Sequence, residues 1–222
     1  MEIKSTKKVD IVRKTFDEWA QNGRAELMEK EHGKNVSKFL DKVSFEKPFS
    51  FLDVGCGNGW VVRKIASNSK CKKAIGIDKS KKMIIQSKKN KNNFKEMYFH
   101  TNIESWKYSG KFDFIFSMES LYYSDSIEIA LKKIFQLLKP GGLFFCGTDF
   151  YTDNKATSKW SKIMNMQMHL HSKTEWKKFF VDAGFKTKTK QIKDLKNKKN
   201  GNVNLEPCLL LEKSQKRNLQ IK

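Results

Sequence analysis

No apolar run in the sequence approaches the ~20 residues that a membrane-spanning helix requires, so no membrane partner is expected. The opening MEIKSTKKVD has no apolar stretch of the kind a secretory signal carries. Cysteine is scarce and scattered: Cys56, Cys71, Cys146 and Cys208 form no CxxC pair. That spacing argues against a zinc site and against a disulfide framework, and it fits a reducing cytoplasm. No H-E-x-x-H pattern and no Ser-His-Asp order is present, so neither a metalloprotease nor a serine hydrolase is expected.

Arginine is the other shortage. Only Arg13, Arg24, Arg63 and Arg217 stand among 45 basic residues, in a chain of net charge +21. The excess is uneven: residues 1–47 carry net +2, residues 48–150 net +8 and residues 151–222 net +11. Such a charge admits a polyanion partner such as RNA. Nucleic-acid sites favour arginine, however, for its planar fork and its stacking. Lysine and asparagine rising together points instead to compositional drift and a solvated surface. Nucleic acid is therefore kept as the weaker alternative.

With 222 residues, 38% of them hydrophobic and 12% aromatic, the chain can bury a core. Residues 1–47 read as a helical cap. Val9, Val12, Phe16 and Trp19 recur at helical spacing, with Gly23 to end the helix, and Leu27, Val36, Phe39, Leu40 and Val43 line a second helix. Residues 48–222 form the main domain. Apolar runs FSFLDV (49–54), KAIGID (73–78), FKEMYFH (94–100), FDFIFS (112–117) and LFFCGT (143–148) read as strands. Helical patterns stand between most of them, one with Ser80 as its cap and one with a capping signal at Asp125 and Glu128. Strands that alternate with helices form a parallel sheet covered on both faces. After KPGG and the fifth strand come a capping box at Ser172 and Glu175 and two more strand candidates, FKTKTKQI and PCLLLEK. The lysine-rich stretch DLKNKKNGN between those two reads as a solvated hairpin loop.

The chemistry concentrates in FLDVGCGNGW. Gly55, Gly57 and Gly59 follow a strand and precede a helix, an arrangement that brings backbone close to a ligand at the carboxyl edge of a sheet. The dinucleotide pattern GxGxxG is not met, since the third glycine comes one residue early, and no Gly-Lys-Ser/Thr follows. Asp53 would repel a phosphate and attract a cation. S-adenosylmethionine carries a sulfonium and an ammonium and no phosphate, so it suits such a loop. Asp78 ends the second strand, 19 residues beyond Gly59. That is close to the ~20 at which an acidic residue binds a ribose diol.

VGCGNG, GID, FDFIFSMESLYY and LLKPGGLFF, in that order, resemble the class I S-adenosylmethionine-dependent methyltransferases. The nearest branch looks like the small-molecule enzymes that include ubiquinone/menaquinone C-methylases. The resemblance covers residues 49–150 closely. It implies an α/β Rossmann-like doubly wound sheet of seven strands, mostly parallel with a C-terminal antiparallel hairpin, and N-terminal helices beside it. It further implies that Gly55 and Gly57 approach the methionine part of the cofactor and that Asp53 supports the loop and the ammonium. By the same likeness Asp78 binds the ribose, Lys79 and Met83 lie near the adenine, and Ser117 and Met118 flank the reactive methyl. The family's G-D-A stretch corresponds to Thr101, Asn102 and Ile103 here. Asn102 would accept from the adenine amino group through its carbonyl oxygen, and Ile103 would supply apolar contact.

Methyl transfer from a sulfonium releases a neutral leaving group, so proximity and orientation can supply most of the catalysis. A general base helps only a protonated nucleophile, and no catalytic residue is assigned. Substrate-facing groups are sought in three places: Glu119, Tyr122 and Tyr123; His169 and His171; and Trp19 as a lid over the cofactor, with Arg24 and His32 behind it. Packing is the competing role for the tyrosines, the histidines and Trp19 alike. The expected function is methyl transfer to a small-molecule acceptor by a monomer or homodimer. The alternatives are an RNA methyltransferase and a non-catalytic cofactor-binding protein.

Overall fold

The structure, a computed structural model, describes residues 10–41, 43–193 and 205–213. Helix α1 (Ile11–Trp19) starts at Asp10, whose carboxylate accepts from Arg13 N at 3.0 Å. Helix α2 (Arg24–Leu40) follows from Gly23. The first helix ends at Trp19 and not at Gly23; that glycine, at φ 82°, is the joint that starts the second.

Strands β1 (Phe49–Val54), β2 (Cys71–Asp78), β3 (Glu96–His100), β4 (Phe112–Met118) and β5 (Leu138–Gly147) are parallel. Strand β6 (Phe185–Lys193) and strand β7 (Leu205–Lys213) complete the sheet in the order β3-β2-β1-β4-β5-β7-β6. Strand β7 is antiparallel to both of its neighbours. The stretch DLKNKKNGN lies outside the described residues.

Strand β1 is buried along its whole length, as a central strand covered on both faces must be. One face packs against Val36, Phe39 and Leu40 of α2, Val61, Val62 and Ile65 of α3 (Trp60–Ala66) and Ile84 of α4 (Lys81–Lys89). The other packs against Ile127, Leu131 and Ile134 of α5 (Ile127–Leu137) and Trp176 and Phe180 of α7 (Lys173–Asp182), with the short α6 (Trp160–Ile163) at the end of that layer. Each fully buried aromatic or aliphatic side chain contributes ~1.5–3 kcal/mol.

Local readings change at the α5 cap and at the starts of β2, β3 and β5. The helix cap of α5 is Ser126, which accepts from Ile129 N at 3.3 Å; Asp125 stands one residue outside and turns its carboxylate to Lys79. Strand β5 begins at Leu138 rather than Leu143, because KPGG bulges within it. Phe112 pairs with Leu138 while Phe114 pairs with Leu143, and Gly141 takes φ 71° in the bulge. The segment 101–111 between β3 and β4 forms no helix; Trp106, Tyr108 and Phe112 stack over that part of the sheet, with the first two rings 4.6 Å apart. Ser80 caps α4, accepting from Met83 N at 3.1 Å, and Ser172 with Glu175 forms the capping box of α7.

At the edge opposite the glycine loop, Asp113 ties β4 to β1 and to the bulge. Its Oδ2 accepts from Ser50 N, Ser50 Oγ and Lys139 Nζ, each at 2.8 Å. Burial alone would raise this carboxyl; the Lys139 ammonium and the two Ser50 donors outweigh that and hold it below the ordinary range. A lowered folded value means that the stabilisation is present above the unfolded pKa and is lost as pH falls through the folded one. Asp113→Asn is expected to cost ~1–3 kcal/mol near neutral pH and clearly less near pH 3. Urea denaturation at both pH values checks this, and an equal penalty at the two would contradict it.

Candidate active site

The carboxyl ends of β1, β2, β3 and β4 meet α1 and α2 around a cavity of about 160 Å³. Its floor is the glycine loop. Gly55 N and Cys56 N donate to Ile77 O at 2.9 and 3.0 Å, which continues the β1–β2 pairing into the turn. Gly55 takes φ 75°, and a Cβ there would lie 1.9 Å from Ser120 Oγ. Gly57 takes φ 53°, and a Cβ there would meet no atom within 4 Å. The first glycine is demanded by the neighbouring loop. The second leaves backbone bare beside open space, a cradle into which a ligand can press.

Asp78 fixes that cradle. Its Oδ2 accepts from Gly57 N at 2.9 Å and its Oδ1 from Ser80 N at 2.8 Å. Burial raises its carboxyl above the ordinary value, against the pull of those two N–H groups. Asp53 is 2% exposed and lines the cavity, and no donor among the described residues reaches its carboxylate. Burial, and then the charge of Asp78, push it well above the ordinary carboxylate range. A buried carboxyl without a donor is relieved by taking up a proton or by meeting a cation.

Of the residues singled out in the sequence, Asp53, Gly55, Gly57, Asp78, Lys79, Met83, Asn102, Ile103, Met118, Glu119 and Tyr123 line this cavity. Lys79 is held by Asp10 and Asp125, each at 2.9 Å. Glu119, at φ 49°, accepts from Tyr122 OH at 2.9 Å and from Asp149 N at 2.6 Å. Tyr123 sets its ring edge-on to Phe16 with centroids 5.1 Å apart. Burial, followed by the charge of Glu119, raises the Tyr122 phenol well above its ordinary value.

Five candidates are not lining residues. Trp19 packs on Phe16 and under the Arg24 guanidinium, and Phe16, one turn earlier on the same stripe, faces the cavity instead. Ser117 donates to Val54 O at 2.9 Å and so joins β4 to β1. Tyr122 is buried behind Glu119. His169 places Nε2 2.9 Å from Ser124 O, and its backbone N donates to Tyr122 O at 2.9 Å. His171 packs on Phe179 at 4.8 Å, 3.8 Å from the Glu175 carboxylate. His169 pins the 151–172 segment to the loop after β4, and His171 packs that segment on α7. Asn102 also departs from its expected role: its Oδ1 accepts from Ser105 N at 3.1 Å and from Ser105 Oγ.

Met28 and Glu29 of α2 join Phe16 in the wall, and His32, expected behind Trp19, lines it as well; the stripe of α1 could have pointed to Phe16 as readily as to Trp19. Glu29 accepts from Asn58 Nδ2 at 2.8 Å, and Arg63 Nη1 donates to Asn58 O at 2.6 Å. Asn58, Trp60, Glu104, Ser120, Leu121 and Asp125 are among the further lining residues to which sequence reading gave no site role. Six lining carboxylates, those of Glu29, Asp53, Asp78, Glu104, Glu119 and Asp125, face one lining ammonium, Lys79. The cavity thus opposes the sign of the chain as a whole.

A profile of the family described as "Methyltransferase domain" matches residues 22–190. The chain belongs to the S-adenosylmethionine-dependent methyltransferases. It is 34% identical over 122 residues to the ubiquinone biosynthesis O-methyltransferase of Pelagibacter ubique, a match over 51% of this chain and 49% of that one. The chain therefore spans about half the length of that curated relative. Among solved structures it is similar to a chain of the complex between the Haloferax volcanii Trm112 methyltransferase activator and a methyltransferase (TM-score 0.82, 22% identity, 90% of this chain and 98% of that one). It is also similar to the N-methyltransferase NodS of Bradyrhizobium japonicum in complex with S-adenosyl-L-homocysteine (TM-score 0.64, 16% identity, 82% and 87%). Among the described residues no helix is long and apolar enough to cross a membrane.

The donor set fits the family's cofactor: a buried carboxylate for a cation, a second carboxylate with spare lone pairs for a diol, and a bare glycine between them. An elevated folded pKa also means that ionised Asp53 destabilises the ligand-free fold, fully above the folded value and not at all below the unfolded one. Asp53→Asn is therefore expected to raise the melting temperature of the ligand-free protein at pH 7, at ~2–4 °C per kcal/mol, and to weaken S-adenosylmethionine binding. Calorimetric melts and titrations check both. A variant that is less stable and binds unchanged would contradict the cation role.

Proposed function

We propose that this protein transfers the S-methyl group of S-adenosylmethionine to a small-molecule acceptor. The observation that carries this reading is the sign of the cavity, carboxylate-lined in a strongly basic protein. A wall of carboxylates attracts the cationic cofactor and repels a phosphate backbone. The likeness to a ubiquinone O-methyltransferase supports a small acceptor in the same sense.

S-adenosylmethionine, when bound, supplies a methyl group on a sulfonium that leaves as a neutral thioether. Asp53 would hold the ammonium, and Asp78 would accept from the ribose hydroxyls through the lone pairs that Gly57 and Ser80 leave free. Met83 and Ile103 give apolar walls for the base. Met118, Glu119 and Tyr123, with Phe16 packed on Tyr123 and His32 from α2, would form the side that meets the acceptor. These groups orient the acceptor and exclude water, so that most of the rate comes from positioning.

The net charge of +21 favours a second reading, an RNA acceptor. The lysines at 196, 198 and 199, in its densest cluster, lie outside the described residues. A methyl-labelled cofactor incubated with total RNA and with a metabolite extract separates the readings. Label is expected in the small-molecule fraction. Label in RNA that disappears in a Lys196→Gln, Lys198→Gln, Lys199→Gln variant, with cofactor affinity unchanged, would establish the RNA reading. Cofactor binding with no label anywhere would establish a non-catalytic one. In the same preparation Asp78→Ala is expected to lose ~1.5–3 kcal/mol of S-adenosylmethionine affinity, ~10–100-fold. Unchanged affinity with an intact fold would remove Asp78 from the site.

A further inference from the structure

We propose that Asp125, in the loop after β4, reads the adenine amino group of the cofactor in this protein, in place of the residue after β3. The inference rests on the cofactor reading above.

Asp53 ends β1 and Asp78 ends β2, and the sheet runs in the order β3-β2-β1. A ligand whose ammonium meets Asp53 and whose ribose meets Asp78 continues in the same direction. Its base therefore reaches the end of β3. The cavity wall there is made by Lys79, Met83, Asn102, Ile103, Glu104 and Asp125. Met83 and Ile103 suit the flat apolar faces of a purine. The amino group on its edge is a donor, and a donor taken out of water needs an acceptor.

Asn102, two residues past the end of β3, has no acceptor to give. Its carbonyl oxygen has two lone pairs, and Ser105 N, at 3.1 Å, and Ser105 Oγ take both. The identity of that oxygen follows from Ser105 N, which can only donate. What remains of the Asn102 amide is Nδ2, itself a donor, and it is turned 3.3 Å from Asp125 Oδ2.

Asp125 receives what Asn102 donates. Its Oδ2 takes Asn102 Nδ2, its Oδ1 takes Lys79 Nζ at 2.9 Å, and its own backbone N donates to Glu104 Oε1 at 2.8 Å. A carboxylate offers about four acceptor positions, so lone pairs remain on both oxygens. The side chain is 63% exposed where it borders the cavity. Two contacts on its carboxylate and one on its backbone hold it in place before any ligand arrives, which lowers the ordering cost of reading a ligand group. Lys79 and Asn102 are then positioning residues. Glu104, the other carboxylate at this end, accepts from the Asp125 backbone N and is the competing acceptor that the test separates.

The test uses S-adenosylhomocysteine and its analogue with hydrogen in place of the adenine amino group, titrated by calorimetry into the full chain. The wild-type protein is expected to prefer S-adenosylhomocysteine by ~10–100-fold, the worth of one hydrogen bond to a charged acceptor. In Asp125→Ala the preference is expected to fall to near one, and in Asp125→Asn, which keeps a neutral acceptor and the side-chain volume, to an intermediate value. Thermal melts confirm that both variants fold. A wild-type ratio near one, a ratio that survives Asp125→Ala, or a ratio abolished by Glu104→Gln and untouched at Asp125 would each overturn the assignment. Failure of the wild-type protein to bind S-adenosylhomocysteine at all would instead defeat the cofactor reading on which it rests.

Discussion

One carboxylate holds the site together. Asp78 reaches from the end of β2 to Gly57 N on one side and Ser80 N on the other, with contacts of 2.9 and 2.8 Å. The first contact fixes the glycine loop at the end of β1; the second fixes the start of α4. Without it Gly57 would lose its tie to the neighbouring strand, and only the first half of the loop, at Gly55 and Cys56, would stay bonded to Ile77 O. The arrangement is costly, because two carboxylates that repel each other are brought out of water at adjacent strand ends. Strain of this kind in the ligand-free state is what a bound cation relieves, and binding energy is gained where folding energy was given up.

The N-terminal helices follow from the same local chemistry. Asp17 of α1 accepts from Ser80 Oγ at 2.7 Å and from Lys82 N at 2.9 Å, so α1 is tied to the first turn of α4. Asp10 reaches Lys79, and Glu29 of α2 reaches Asn58 in the glycine loop. Each tie joins an acidic residue of the N-terminal helices to a donor at the rim of the cavity. The even charge of residues 1–47, against the basic remainder, becomes intelligible: these helices carry the acids that close the site. Their apolar side, at Val36, Phe39 and Leu40, shares one core with β1 and α3.

Much of this was legible in the residues themselves. The glycine spacing with Asp53 and Asp78 marks the edge of the parallel sheet where the cavity opens, the edge that we propose receives the cationic cofactor. Strand and helix alternation along 49–150 is legible for the same reason that it folds: buried runs and amphipathic stripes differ in period. What periodicity cannot supply is which member of a stripe faces inward at a given height. Phe16 and Trp19 share one stripe of α1, and only packing against Tyr123 and Arg24 separates lining from support. Hydrogen-bond occupancy is equally hidden. Ser117 looks free to meet a ligand until Val54 O claims it, and Asn102 looks like an acceptor until Ser105 saturates it. The histidines at 169 and 171 read as chemistry, and the structure uses them as props for a loop.

Competition calorimetry decides most directly whether the glycine loop holds a cation or a phosphate. S-adenosylmethionine is titrated into the protein alone and then in the presence of a large excess of ATP or NAD. With Asp53 buried beneath the loop and the third glycine one residue early for a pyrophosphate, the sulfonium nucleoside should bind saturably and neither phosphate compound should displace it. Micromolar binding of ATP or NAD in competition with S-adenosylmethionine would contradict the assignment of Asp53 and Asp78 to a cationic ligand.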